Sequence, residues 1–303
     1  MDHVLLITNA GAGSNDERAV ETAAKVLREQ ARVDVAATCD KAELEAALSG
    51  RGDRDVVVAG GDGSLHAVVA VLRRLDDLAG PTIGLIPLGT GNDFARGVEI
   101  PLTPEAAARV ILSGEPRKVD ILVDDDDHVV VNAVHMGVGA EAAIEARPWK
   151  SAFGKLKLGK VGYAIGAVVA SSKTQGLRLR VVADGSVLAD GRHHVLQVGV
   201  LNGSKIGGGT EMAPDAVTTD GLADVLVSFS VSPLGRFLYG VHLKRGTHDE
   251  RHDVKVAQAT SVSVTGEEFW CNADGELAGP MTSRSWSVHP KAFTMVLPSR
   301  SAG

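Results

Sequence analysis

Short apolar, β-branched runs alternate with helix-period stretches through the first hundred residues. Strand-like runs fall at Val4 to Thr8, Val33 to Ala37, Val56 to Ala59 and Ile83 to Ile86, and helical patterns at Asp16 to Gln30, Lys41 to Leu48 and Leu65 to Leu75. This order predicts an α/β half. Its strands are almost continuously apolar, as in Val56-Val57-Val58-Ala59, which suits a parallel sheet covered by helices on both faces. Thr103-Pro104-Glu105 predicts one more helix, with the threonine as cap and the proline in the first turn.

After about Val119 the pattern changes to strand candidates joined by turns: Ile121 to Val123, Val129 to Val134, Leu177 to Ala183, His194 to Leu201, Ala223 to Ser230, Val254 to Val264 and Ser285 to His289. The second half therefore reads as mostly β. Asp124-Asp125-Asp126-Asp127 lies between two of these runs and reads as an exposed hairpin turn rather than a metal site. The expected domains are 1–119 and 120–303, the last residues packing back on the first.

A chain of 303 residues, 44% hydrophobic and 23% charged, can bury a core as one large domain or two ordinary ones. Two cysteines, Cys39 and Cys271, imply no disulfide framework and suit a reducing, cytoplasmic setting. The amino terminus carries no export-signal pattern. The most apolar segment, Tyr163 to Ala170, is far shorter than the roughly 20 residues of a membrane span, so a soluble protein is expected. A net charge of -7 argues against a general nucleic-acid binder. The histidines lack a metal-binding spacing.

The chemistry gathers in turns. Strand Val56 to Ala59 runs into Gly60-Gly61-Asp62-Gly63-Ser64 and then a helix. Glycines let a ligand approach the main chain, and the free amides and positive dipole end of the helix favour phosphate. Taken alone, the turn fits a ligand-free β-α connection equally well. Two further turns follow strands in the same way: Asn9-Ala10-Gly11-Ala12-Gly13-Ser14, and Pro87-Leu88-Gly89-Thr90-Gly91-Asn92-Asp93-Phe94. In a parallel sheet all three open at the carboxyl edge, where such sheets bind ligands.

These residues resemble the diacylglycerol kinase catalytic domain superfamily, which includes bacterial lipid kinases, sphingosine kinases and ceramide kinases. Gly60 to Ser64 is similar to the family's GGDGT, Ile86 to Arg96 to its second signature, and Asn272-Ala273-Asp274-Gly275-Glu276 to a third near the carboxyl terminus. The resemblance implies a doubly wound, Rossmann-like nucleotide domain, a carboxyl-terminal β-sandwich and an active site in the cleft between them. It implies an ATP-dependent lipid kinase, diacylglycerol being the first acceptor. ATP would contact Asn9, Gly11, Gly13, Thr38, Gly60, Gly61, Gly63, Ser64, Gly89, Thr90, Asn92 and Asp93, while Asp62 would organise its Mg2+, a cation that prefers oxygen ligands. Glu276 would be the general base, with Asp274 beside it. Taken alone, Asp274-Gly275 reads as a hairpin turn before an exposed glutamate. Asp220, with the carbonyls of Val217 and Leu222, matches a structural magnesium loop of some members; a metal-free turn fits these residues equally well.

Ser64 stands in place of the family's threonine, Ala10 in place of a common proline, and His66-Ala67 in place of Asn-Glu. The last change leaves the nucleotide preference open. From Ala146 to Ala183 the chain has eight bases, including Arg147, Lys150, Lys155, Lys157 and Lys160, and no acid. Trp149, Phe153 and Tyr163 lie among them, so peripheral docking on an anionic membrane is expected of this region, a solvated basic face being the alternative. A homodimer is a possible assembly. The rival readings are a sphingoid-base kinase, an NAD kinase, which also uses a GGDG turn, and a lipid- or nucleotide-binding protein impaired in catalysis.

Overall fold

The computed structural model describes residues 1–10, 14–138, 140 and 175–299. The chain divides into two compact units. One comprises Met1–Ile121, Thr218–Asp220 and His289–Gly303, the other Leu122–Val217 and Gly221–Val288.

In the first unit, strands β1 (His3–Asn9), β2 (Arg32–Thr38), β3 (Asp55–Gly60) and β4 (Thr82–Pro87) form a parallel sheet in the order β2-β1-β3-β4. The far end of the last strand, β16 (Glu276–Leu297), joins beside β4, also parallel, through Thr294 and Met295. Val56, Val57 and Val58 are fully buried, as expected of a strand covered on both faces. The edge strand β2 alternates in exposure instead. Helices α1 (Ser14–Leu27), α2 (Lys41–Ser49), α3 (Asp62–Arg74), α4 (Asp93–Gly97) and α5 (Pro104–Ser113) complete the unit. A capping box starts α2: Asp40 accepts the Glu43 amide at 2.9 Å, and Glu43 accepts the Cys39 amide at 2.7 Å. That same Glu43 holds the exposed Cys39 thiol above its ordinary pKa, which disfavours the reactive thiolate. Pro104 occupies the first turn of α5, as its sequence predicts. Strand β5 (Glu115–Asp124) follows, and its fully buried Asp120 accepts the Lys291 amide at 2.6 Å.

The second unit is a β-sandwich. It contains β6 (Val129–Val130), β7 (Ala133–Gly137), β8 (Leu179–Ala183), β9 (Ser186–Asp190), β10 (Gln197–Leu201), the short pair β11 (Lys205–Ile206) and β12 (Thr210–Glu211), β13 (Ala223–Ser228), β14 (Val254–Ala259) and β15 (Ser261–Ala273). The path β14-β13-β10-β7-β15 is antiparallel throughout. Val262 to Gly266 of β15 pair with β8, and Cys271 to Ala273 pair with β7. Irregularities on either side of Phe269 let this one strand turn the corner between sheets. Phe269 and Trp286 are buried in the cluster on one face of β7 and β10, with Met136 and Val198. Leu196, Leu201, Met212 and Tyr239 form a second cluster. Tyr239 belongs to helix α6 (Pro233–Arg245), which the sequence pattern did not predict.

One expectation needs adjusting. Val254 to Val264 is two strands rather than one, broken at Thr260, where the backbone amides and hydroxyls of Thr260 and Ser261 all donate to the Asp184 carboxylate. Those donors lower the Asp184 pKa. The Asp124 to Asp127 run is the expected turn: Asp124 accepts the amides of Asp126 and His128, and Arg284 gathers the carboxylates of Asp124, Asp125 and Asp126.

His135 on β7 is buried, and neither ring nitrogen has a partner among the described residues. Burial lowers its pKa from 6.5 to about 4, the Asp274 charge pulling more weakly the other way. With a folded pKa below the unfolded one, the neutral ring favours the fold fully above pH 6.5, and that contribution is lost as pH falls toward 4. Urea unfolding at pH 7 and pH 4.5 is expected to show a loss of up to about 3 kcal/mol attributable to this group, at roughly 1.4 kcal/mol per unit. The same comparison on His135→Gln should be correspondingly flatter.

Candidate active site

Parallel pairing sends the carboxyl ends of β1, β3 and β4 to one edge. Asn9 lies level with Thr38, and Gly60 with Pro87. Gly61 is the N-cap of α3, with φ -97 and ψ -166, and it offers no side-chain cap. The first amides of α3 therefore have no partner within the helix and are open to an anion.

The second turn packs directly on the first. Leu88 donates its amide to the Gly60 carbonyl at 2.9 Å. A Cβ on Gly89 would lie 2.5 Å from the Gly61 Cα, and one on Gly61 would lie 2.9 Å from the Gly89 Cα. No side chain fits at either position. Asp62 clasps the pair: its two carboxylate oxygens accept the amides of Asp93 and Phe94, each at 3.0 Å, and so cap α4. Each oxygen keeps a lone pair for a further donor or a metal-bound water.

Asn92 holds the second turn from inside. It adopts the left-handed conformation with φ 52, and its side-chain NH2 donates to the Gly89 carbonyl at 2.7 Å. Its Oδ1 is buried without a partner among the described residues. Arg96 donates to the Gly91 carbonyl at 2.9 Å, closing the turn from the far end of α4.

A cavity of about 520 Å³ opens at this edge. Asn9, Gly60, Gly61 and Ser64 line it together with Leu88, and α1 contributes Glu17 and Glu21, with Arg28 just after its end. Gly63, Thr38, Thr90, Asn92 and Asp93 are not in its wall. Sequence reasoning missed Glu17, Glu21 and Arg28 because charges spaced along an amphipathic helix look like an ordinary solvent face. The expected contacts Gly11 and Gly13 lie outside the described residues, as do Arg147 to Lys160.

In the second unit, Asp274 and Gly275 form the two-residue turn between β15 and β16, with φ 48 and 93, the positive pair that such a turn needs. The Asp274 carboxylate accepts the amides of Val131, Asn132 and Ala133 at 2.7, 2.9 and 3.0 Å. Glu276, the first residue of β16, is exposed. Of the expected metal ligands, Asp220 sits in the Thr218–Asp220 segment assigned to the first unit, whereas Val217 and Leu222 fall in the second. Among the described residues no group of three or more His, Cys, Asp or Glu side chains is arranged to hold a metal ion. No helix among them is long and apolar enough to cross a membrane.

The glycine cradle and the open helix amides suit a polyphosphate, whereas the buried Asn92 oxygen is an acceptor and suits a hydroxyl or a metal-bound water. The diacylglycerol kinase catalytic domain matches residues 3–123, and the YegS C-terminal NAD kinase beta sandwich-like domain matches residues 132–297. The chain belongs to the diacylglycerol kinase catalytic-domain family. A Xanthomonas campestris protein named "Probable lipid kinase YegS-like" is 31% identical over 94% of this chain and 92% of its own length. One of the same name from Pectobacterium atrosepticum is 28% identical over 97% and 95%. The fold is similar to a crystal structure of a diacylglycerol kinase from Bacillus anthracis, with TM-score 0.75 at 23% identity, covering 98% of this chain and 97% of that one.

One glycine from each turn separates the cradle from its surroundings. Gly89→Ala is expected to weaken nucleotide affinity by at least about 1 kcal/mol, roughly fivefold in Kd, by titration calorimetry. Gly63→Ala, where an added Cβ meets no protein atom within 4 Å, is expected to leave thermal stability unchanged. In the second unit, Asp274→Ala strands three backbone amides and is expected to lower the urea unfolding free energy by about 2–5 kcal/mol.

Proposed function

We propose that this chain, a lipid kinase by family, transfers the γ-phosphoryl group of ATP to the hydroxyl of diacylglycerol, giving phosphatidic acid and ADP. The carrying observation is the close backbone approach of Gly61, in the wall of the 520 Å³ cavity, to Gly89, which lies outside that wall. Only a cradle without side chains lets phosphate oxygens reach the amides at the start of α3.

Phosphoryl transfer asks the protein to position groups and balance charge. The amides at the start of α3 hold the phosphates, and Asp62 keeps the second turn in register while offering lone pairs toward a hydrated cation. Magnesium carried with the nucleotide supplies charge neutralisation there. Glu17 and Glu21 give the α1 side of the cavity acceptors suited to the hydroxyl and amino groups of the nucleoside rather than to phosphate. The lipid oxygen forms the new bond to the γ-phosphorus, the bond to the β-phosphate oxygen breaks, and Glu276 takes the hydroxyl proton. Asp274 holds the turn that presents Glu276.

Radiolabelled ATP with diacylglycerol, sphingosine and NAD as separate acceptors tests the reading. Diacylglycerol should be labelled, and Glu276→Gln should lower kcat by roughly 10² to 10⁴ with little change in nucleotide affinity. Label on NAD alone, or nucleotide binding with no labelled acceptor, would overturn it.

A further inference from the structure

Helix α6 is apolar on two opposite sides. At 3.6 residues per turn, Tyr239 and Leu243 fall on one side, and both pack in the cluster beside β10 and β13. Leu234, Phe237, Leu238 and Val241 recur at i, i+3, i+4 and i+7 and share the opposite side. Leu234 and Phe237 are 67% and 68% exposed, and Leu238 is 37% exposed. Among the described residues nine large hydrophobic side chains are exposed, and three of them crowd into these five positions. Scattered apolar side chains are ordinary on a surface, but a continuous stripe marks a contact.

The stripe is preformed. Ser232 caps the start of α6 by accepting the Gly235 amide at 3.1 Å, Pro233 sets the first turn, and Gly246 ends the helix in the left-handed conformation with φ 70. Little ordering is left to be done on contact. Charge frames it on one side only: α6 contains Arg236, His242, Lys244 and Arg245 and no acidic residue, with Lys244 and Arg245 exposed in the last turn. Glu250 is the exposed acid that follows farther along. Leu and Phe on one face with bases at the rim is the composition of a helix that lies in the headgroup boundary of an anionic bilayer.

We propose that the outer face of α6 docks this protein on an anionic lipid surface, Leu234 and Phe237 entering the headgroup layer while Lys244 and Arg245 meet lipid phosphates. This rests on the lipid-kinase reading, because an acceptor held in a bilayer obliges the enzyme to meet that bilayer.

Sedimentation with vesicles of phosphatidylcholine alone, or of phosphatidylcholine mixed with phosphatidylserine, tests the proposal without any turnover. The wild type should partition onto the mixed vesicles. Leu234→Ser with Phe237→Ser, and separately Lys244→Glu with Arg245→Glu, should each weaken partitioning by at least about tenfold. Thermal unfolding should stay unchanged, since these side chains are exposed. Turnover of a water-soluble short-chain acceptor should survive in both variants while turnover of vesicle-embedded lipid falls. Equal partitioning of wild type and folded variants, or no partitioning by the wild type, overturns the proposal. So does a change in molar mass by light scattering in the apolar variant with vesicle binding intact, which assigns the face to a second copy. If no lipid is phosphorylated yet α6-dependent partitioning persists, the lipid-kinase reading fails and the docking face stands.

Discussion

The approach of Gly61 to Gly89 without intervening side chains is the constraint on which the first unit's chemistry depends. It places the starts of α3 and α4 side by side, so that Asp62 of α3 can take up the first amides of α4. Hydrogen alone at both Cα atoms permits it, and three hydrogen bonds keep it: the Leu88 amide to the Gly60 carbonyl, and the amides of Asp93 and Phe94 to the Asp62 carboxylate. Behind these turns stand β3 and β4, buried through Val56 to Ala59 and Ile83 to Ile86, which cannot slide without exposing valine and isoleucine to water. The cradle is thus an outcome of core packing delivered to a polar edge.

Short carboxylates recur as splints in this protein. Asp40 starts a helix, Asp62 fastens one turn to another, Asp184 pins the corner between β14 and β15, and Asp274 collects three amides at the entry to β7. An aspartate reaches backbone amides within a few residues of its own position or across a tight crossing, where a glutamate's extra carbon would cost order. In a chain of net charge -7 many of the negative charges are therefore spent on backbone geometry. Glu276, exposed at the start of β16, has no such bond described, so its carboxylate is not committed to backbone geometry as the splints are.

The α/β half was legible because each of its strands is a dense apolar run and each turn carries glycine, a pattern with few other solutions. Helix α3 begins at Asp62 rather than Leu65 because helix-start glycines and polar residues carry no apolar period to mark them. The corner at Thr260 was not read because strand-forming residues run from Val254 to Val264 with no glycine or proline to mark a break, and the residue that breaks the strand, Asp184, is far away in sequence. Helix α6 was missed for a related reason. Apolar side chains on opposite faces cancel any single periodicity, so a helix with two buried or contacting sides reads as featureless. In the site, the glycines and Asp62 were recognisable by motif, whereas Glu17 and Glu21 of α1 and the following Arg28 needed the fold to bring them to the cavity.

The chain passes between its two units at Ile121, around Thr218 to Asp220, and again at Val288. The last passage carries Thr294 and Met295 beside β4, and Lys291 onto the buried Asp120. During synthesis the ribosome therefore emits most of the nucleotide-side sheet early but withholds one of its strands until more than two hundred further residues have been made. Until then the outer edge of β4 is bare, with backbone groups that another nascent chain could pair. The interval between the emergence of β4 and of β16 is a window in which this protein depends on dilution or on chaperones, and it exists because one strand was lent to a sheet encoded more than two hundred residues upstream.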